Sequence, residues 1–144
     1  MKLDKIARQL YVQSKSFDEV YRLAQSKTKM MACIPAIQPI SNKKLERLAS
    51  GFGYRIHPIY KTLKMHTGVD FTASTGTPIY ATGDGVVVNS SQGFGGYGVL
   101  CVIDHGYNYK TYYAHLSRLA VKPGQKVKRG QVVGYVGNTG ISTG

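Results

Sequence analysis

Acidic residues are scarce in this chain: 7 Asp and Glu stand against 19 Lys and Arg in 144 residues, a formal net charge of +12. That imbalance favours an anionic partner, whether nucleic acid, anionic lipid or an acidic cell-wall polymer. The basic residues concentrate in residues 1–64 and in Lys122-Pro-Gly-Gln-Lys-Val-Lys-Arg129. They lack the arrays of arginines and aromatic platforms that hold single-stranded nucleic acid, which sets nucleic acid aside as a partner. Cysteine is nearly as rare, with only Cys33 and Cys101 and no Cys-x-x-Cys pair, so a thiolate zinc site is excluded and nothing supports a disulfide between the two. Cys101 lies in the apolar run Val99-Leu-Cys-Val-Ile103 and reads as a buried strand residue. No run approaches the roughly 20 apolar residues that a membrane span requires. An apolar signal core at the N-terminus is also missing, which implies either a cytoplasmic chain or a piece whose leader lies upstream.

What the chain does have is 17 glycines and 11 tyrosines, a composition of tight turns between half-buried strands. Leu3, Ile6, Leu10, Phe17, Val20 and Ala24 keep a 3-4 spacing compatible with a coiled-coil seam, interrupted by the polar Gln13. Ser16 followed by Glu19 fits a capping box, so a helix is expected to restart there. Such a lead-in suits a stalk or a segment that pairs with a partner helix. Pro35 and Pro39 then make Cys33-Ile-Pro-Ala-Ile-Gln-Pro-Ile40 an extended connector. A short helix is expected after it, capped by Ser41, with Leu45, Leu48 and Ala49 on one face and Gly51 at its C′ position.

From Gly51 the texture changes. Gly85–Asn89, Gly98–Asp104, Lys110–Ala114 and Gln131–Val136 read as strands separated by glycine turns. The expected organisation is a helical lead-in with a proline-containing linker over residues 1–50, then a mainly β, antiparallel roll or sandwich over 51–144. Its site would lie on one open face.

Within that domain His66-Thr-Gly-Val-Asp70 places an imidazole and a carboxylate four residues apart around a glycine. Imidazole plus carboxylate suits zinc better than calcium or magnesium. A surface histidine beside a turn-capping aspartate explains the same pair equally well. His115 follows the alternating Tyr109–Ala114 strand and sits at its end, where it could serve as a ligand or an acid–base group. His105 falls in an apparent hairpin turn between strands, and His57 precedes Pro58, so both read as structural.

Several ordered motifs together resemble the lysostaphin-type or LytM-type zinc metallopeptidases, which cut the peptide part of peptidoglycan. They are Phe52-Gly-Tyr-Arg-Ile-His-Pro58, His66-x-Gly-x-Asp70 with Phe71 after it, Gly76-Thr-Pro-Ile-Tyr-Ala81, Gly83-Asp-Gly-Val86, Tyr113-Ala-His-Leu-Ser117 and Gly124-Gln-Lys-Val127. The resemblance runs from about Gly51 to Gly144. It implies a duplicated-hybrid-motif β fold behind short N-terminal helices. It also implies zinc held by His66, Asp70 and the second His of a His-x-His motif, with His115 and the first His of that motif serving the catalytic water. Tyr60 is a further candidate for steadying an oxyanion, and equally a packed loop aromatic. In this family the His-x-His follows closely after a segment like Gly137-Asn-Thr-Gly-Ile-Ser-Thr-Gly144. No such pair occurs in these 144 residues, so the expectation is a fragment that ends before its last ligand and is itself inactive.

The implied activity is a zinc endopeptidase acting on peptidoglycan cross-links in the periplasm or outside the cell. The alternative is a catalytically inactive wall-binding module or an activator of other wall hydrolases. A lipoyl- or biotin-carrier sandwich ranks last, because Lys64-Met65 precedes the His motif rather than standing on an exposed hairpin.

Overall fold

The computed structural model describes residues 2–57, 60–91 and 96–142, and its chain divides into two compact units that meet between Ala32 and Cys33. Helix α1 (Lys2–Cys33) runs for 32 residues without interruption. The expected break near Gln13 and restart at Ser16 do not occur, and one long helix replaces the short ones. No glycine or proline lies between Lys2 and Cys33, and Gln and Ser in a helix interior cost only a fraction of a kcal/mol each. Asp4 in the first turn suits the positive end of the helix dipole. Ile34 precedes Pro35, whose ring disfavours helical geometry in the residue before it, and the helix stops there.

The second unit opens with the proline segment, which packs along the β-domain. Ala36 donates its N–H to the Thr82 carbonyl at 3.0 Å, Tyr80 donates to the Pro39 carbonyl at 2.8 Å, and Ile40 is buried. The helix expected from Ser41 is a single turn, in which the N–H groups of Lys44 and Leu45 both reach the Ser41 carbonyl. Strand β1 (Arg47–Ser50) follows and pairs antiparallel with β4 (Asp70–Thr72). Pairing decided the outcome: Leu48 stands opposite Phe71, and Glu46 N–H reaches the Thr72 carbonyl at 2.9 Å, so the apolar spacing that looked helical is read out by a partner strand.

Strands β2 (Gly53–Ile56) and β3 (Leu63–His66) form an antiparallel hairpin with Arg55 opposite Lys64 and Gly53 opposite His66. Lys64 therefore does lie on a hairpin, within its strand rather than at a tip. Pro58, part of the first family-like motif, lies outside the described residues, as do Thr143 and Gly144 of the last.

The main sheet contains β5 (Pro78–Tyr80), β6 (Gly85–Ser91), β7 (Val99–Gly106), β8 (Tyr109–Leu119), β9 (Lys126–Val127) and β10 (Val132–Val136) in the order β5-β10-β8-β7-β6-β9. Every pairing is antiparallel, as the alternating strands and glycine turns imply. Strand β7 is buried from Val99 through Ile103, which accounts for its unbroken apolar run. Cys101 is fully buried and free, and burial pushes its thiol up to about 11. The β7–β8 connection places Tyr107 and Asn108 at φ 51° and 65°, the two left-handed residues of a tight hairpin turn. His105 consequently lies inside β7 rather than in the turn, and it is buried.

Asp84 ties two loops of this sheet together. One carboxylate oxygen accepts from Lys128 Nζ at 2.7 Å and the other from the Arg129 N–H at 2.8 Å. Partial burial pushes its pKa up, but the Lys128 and Arg129 interactions outweigh this and hold it below its ordinary value of 3.8. A lowered folded-state pKa means that the stabilisation is complete near neutral pH and is lost as pH falls through the folded value. Asp84→Asn is expected to cost about 1–2 kcal/mol near pH 7. In urea titrations the gap between variant and parent should close in strong acid, and a gap that persists there would contradict this account.

Candidate metal centre

His66 closes β3 and Asp70 opens β4, so two antiparallel pairings and the three-residue link between them fix their separation. His66 Nδ1–H donates to the Gly51 carbonyl at 2.8 Å, which leaves Nε2 as the ring's only other nitrogen. That Nε2 faces Asp70 Oδ1 at 3.2 Å. The other carboxylate oxygen, Oδ2, accepts from Arg55 Nη2 at 2.9 Å. A Cβ at Gly68 would stand 3.8 Å from Nε2, an ordinary van der Waals contact, so the link passes close beside the ring.

A neutral imidazole nitrogen and a carboxylate oxygen are both lone-pair donors, and facing each other at this distance they require a cation between them. A proton on Nε2 supplies one and a metal ion supplies another. Tetrahedral zinc with one nitrogen and one oxygen ligand places those two atoms about 3.3–3.5 Å apart. The pair is within about 0.1 Å of that edge and carries the right donor set. The residues fit two corners of a zinc site.

His115 sits inside β8, not at its end, and adopts φ 58° where the β7–β8 register slips. Such a bulge re-aims a side chain out of the strand's regular alternation. Its backbone N–H reaches the Tyr97 carbonyl at 2.8 Å, and its Nδ1–H donates to the Thr139 carbonyl at 2.7 Å, leaving Nε2 for other work. Thr139 is itself clamped, because its hydroxyl donates to the Leu116 carbonyl at 2.7 Å and accepts from Val99 N–H at 2.9 Å. Gly98, at φ 65°, allows that clamp: a Cβ there would lie 2.4 Å from the Thr139 carbonyl carbon.

Among the described residues no three His, Cys, Asp or Glu side chains gather as a metal-holding group. The structure brings His66 and Asp70 together and adds neither His115, His57 nor His105 to them. Both His105 nitrogens are engaged, Nδ1–H with the Asp84 carbonyl at 2.8 Å and Nε2 with Thr111 Oγ1 at 2.7 Å. His57 Nδ1 accepts from Tyr60 N–H at 3.2 Å, and its ring lies 4.6 Å from that of Tyr60. Desolvation, together with the charges of Lys64 and Arg55, lowers the pKa of His57. Tyr60 is half exposed, with Lys64 Nζ 4.6 Å from the centre of its ring. Arg55, Gly51 and Thr139 are supporting groups that the sequence pattern did not single out. Arg55 lies within the family-like motif Phe52–Pro58, which gave it no role, and its strand pairs with the one that ends in His66.

Residues 64–144 match Peptidase family M23. The peptidoglycan DD-endopeptidase ShyA of Vibrio cholerae serotype O1 is 48% identical over 99 residues, covering 68% of this chain and 23% of that protein. A zinc-containing peptidase from Vibrio cholerae superimposes with a TM-score of 0.67 at 40% identity, over 74% of this chain and 32% of the other. The catalytic domain of the antimicrobial peptidase lysostaphin from Staphylococcus simulans does so with a TM-score of 0.63 at 34% identity, over 71% and 74%. The chain spans about a fifth to a quarter of the length of the curated relatives it matches. With a family match over more than half its length, the chain belongs to peptidase family M23, the lysostaphin- and LytM-type metallopeptidases.

Proposed function

We propose that this domain is a zinc endopeptidase that hydrolyses peptide cross-links of bacterial peptidoglycan, working in the periplasm or outside the cell. The observation that carries the proposal is the approach of His66 Nε2 to Asp70 Oδ1 at 3.2 Å, two lone-pair donors aimed at one point. The relatives named as peptidoglycan endopeptidases support the substrate class. The net charge of +12 suits anionic envelope polymers. Among the described residues no helix is long and apolar enough to cross a membrane.

In this reading His66 and Asp70 are two of the metal ligands, and the family resemblance supplies the third from a His-x-His motif. Bound zinc would polarise the scissile carbonyl and bring the pKa of a coordinated water towards roughly 7. Gly51 fixes the ring of His66 in the tautomer that offers Nε2. Arg55 holds Asp70 Oδ2 and so presents Oδ1. His115, whose Nδ1–H is held by the Thr139 carbonyl, would offer the lone pair on Nε2 to take up and return a proton during the reaction. Tyr60 is left as a loop residue whose hydroxyl would steady the oxyanion only in a substrate complex.

The test is digestion of purified cross-linked muropeptides by the full-length protein, with and without a zinc chelator. Chelator-sensitive conversion of cross-linked dimers to monomers is expected. Dimers left intact by the zinc-loaded protein would overturn the proposal in favour of wall binding or activation of another hydrolase. Because an outer partner tunes and orients a metal ligand, Arg55→Met is expected to weaken zinc binding about 10–100-fold, read by competition with a chelator of known affinity. Unchanged affinity would remove Arg55 from the site.

A further inference from the structure

We propose that α1 pairs with the same helix of a second copy of this chain in a parallel two-stranded coiled coil. The proposal is independent of the zinc site. A 32-residue helix extends about 48 Å, and none of its described residues is buried. In water most helical stability comes from burying an apolar face rather than from propensity, so a helix this long and this exposed calls for a partner.

The seam is written in heptads. Leu3, Ile6, Leu10, Phe17, Val20 and Met31 fall on one 3-4 repeat, whose remaining positions are Gln13, Ala24 and Lys27. Their large side chains are exposed, Leu3 by 85% and Phe17 by 75%. Arg8, Lys15, Arg22 and Lys29 recur every seven residues on the side farthest from the seam. Asp4, Asp18 and Glu19 accompany them at spacings of three and four, where opposite charges pair along one helix. The flank formed by Ala7, Ser14, Tyr21 and Thr28 is neutral, and Lys2 is the only charge on the other.

This layout selects a second copy as the occupant. Flanking charges are what choose a different partner and its orientation in coiled coils, and here they are nearly absent. Two chains of +12 each can still meet, because the cations stand on the outer face and few oppose one another across the seam. Gln13 adds a positive reason. Its amide is both donor and acceptor, so two copies in register satisfy each other, whereas an apolar residue opposite would leave it unpaired. Lys27 lies near the end of the seam, where its stem lets the ammonium leave for water. The area is also sufficient. Eight large side chains per helix, the six of the seam with Tyr21 and Leu23, would bury about 1,000–1,900 Å² in a dimer, and stable interfaces bury about 1,200–2,000 Å².

Sedimentation equilibrium of the 144-residue chain tests this. The mass should rise from 15.8 kDa towards twice that value across the micromolar range. Phe17→Asp should weaken the dimer by about 100-fold or more. Lys15→Glu, on the outer face, should leave it within about threefold. Gln13→Leu should tighten it by about tenfold, since a polar seam residue trades stability for register. Circular dichroism of each variant separates a lost seam from a melted helix, and Gln13→Leu keeps the test valid if Phe17→Asp unfolds α1. A monomer at every concentration, a trimer, or a dimer indifferent to both Phe17→Asp and Gln13→Leu would overturn the proposal.

Discussion

His66→Ala in the full-length protein is expected to lose its zinc and to cleave cross-linked muropeptides at least about 10³-fold more slowly. One hydrogen bond sets this expectation. With Nδ1–H committed to the Gly51 carbonyl, the ring offers a single lone pair, on Nε2, and that lone pair faces Asp70. Alanine removes it and leaves Asp70 held by Arg55 alone. Zinc sites that keep an open position for water have three protein ligands, so the loss of one weakens both the affinity and the acidification of the water. The fold should survive, because His66 ends a short hairpin strand rather than entering the hydrophobic core. Chromatography of the digest and metal analysis of the same sample check both halves of the expectation. Cleavage at the parent rate would refute the role of His66.

His115→Ala should separate catalysis from metal binding. Its turnover number is expected to fall about 10²–10⁴-fold, the usual contribution of a positioned acid–base group. Zinc content should stay at the parent level, because His115 does not join His66 and Asp70 as a metal-holding group among the described residues. Thr139 refines the test. Its carbonyl orients the His115 ring while its hydroxyl braces Leu116 and Val99, so Thr139→Val leaves the imidazole present but loosens its support. A smaller loss of turnover at full zinc occupancy is the expected result. Loss of zinc from His115→Ala would instead make His115 a ligand or a purely structural residue.

How much of this was readable in advance depended on what each signal rested on. The strands from Gly85 onward were legible because alternation and glycine turns are local, and β6, β7, β8 and β10 fall where those patterns put them. The His66–Asp70 pair was legible for the same reason, since five consecutive residues carry both side chains. Ser41–Gly51 misled because its apolar spacing fits a helix and a strand alike, and only the distant Phe71 decides between them. The break predicted inside α1 gave a polar Gln13 more weight than the absence of any helix breaker warranted. His105 was displaced by two residues' worth of turn geometry at Tyr107 and Asn108, which moved it from the surface to a buried place between Asp84 and Thr111. The roles of Arg55 and Thr139 were not legible, because Arg55 reaches Asp70 and Thr139 reaches His115 only once the chain is folded.

His66 and Asp70 are proposed to hold one metal ion together. Equilibrium zinc binding to the full-length protein, measured alongside His66→Ala and Asp70→Ala, tests it most directly. One zinc per chain in the parent, and affinity reduced by about 10²-fold or more in both variants, is the predicted result. Zinc held as tightly by either variant as by the parent would contradict it.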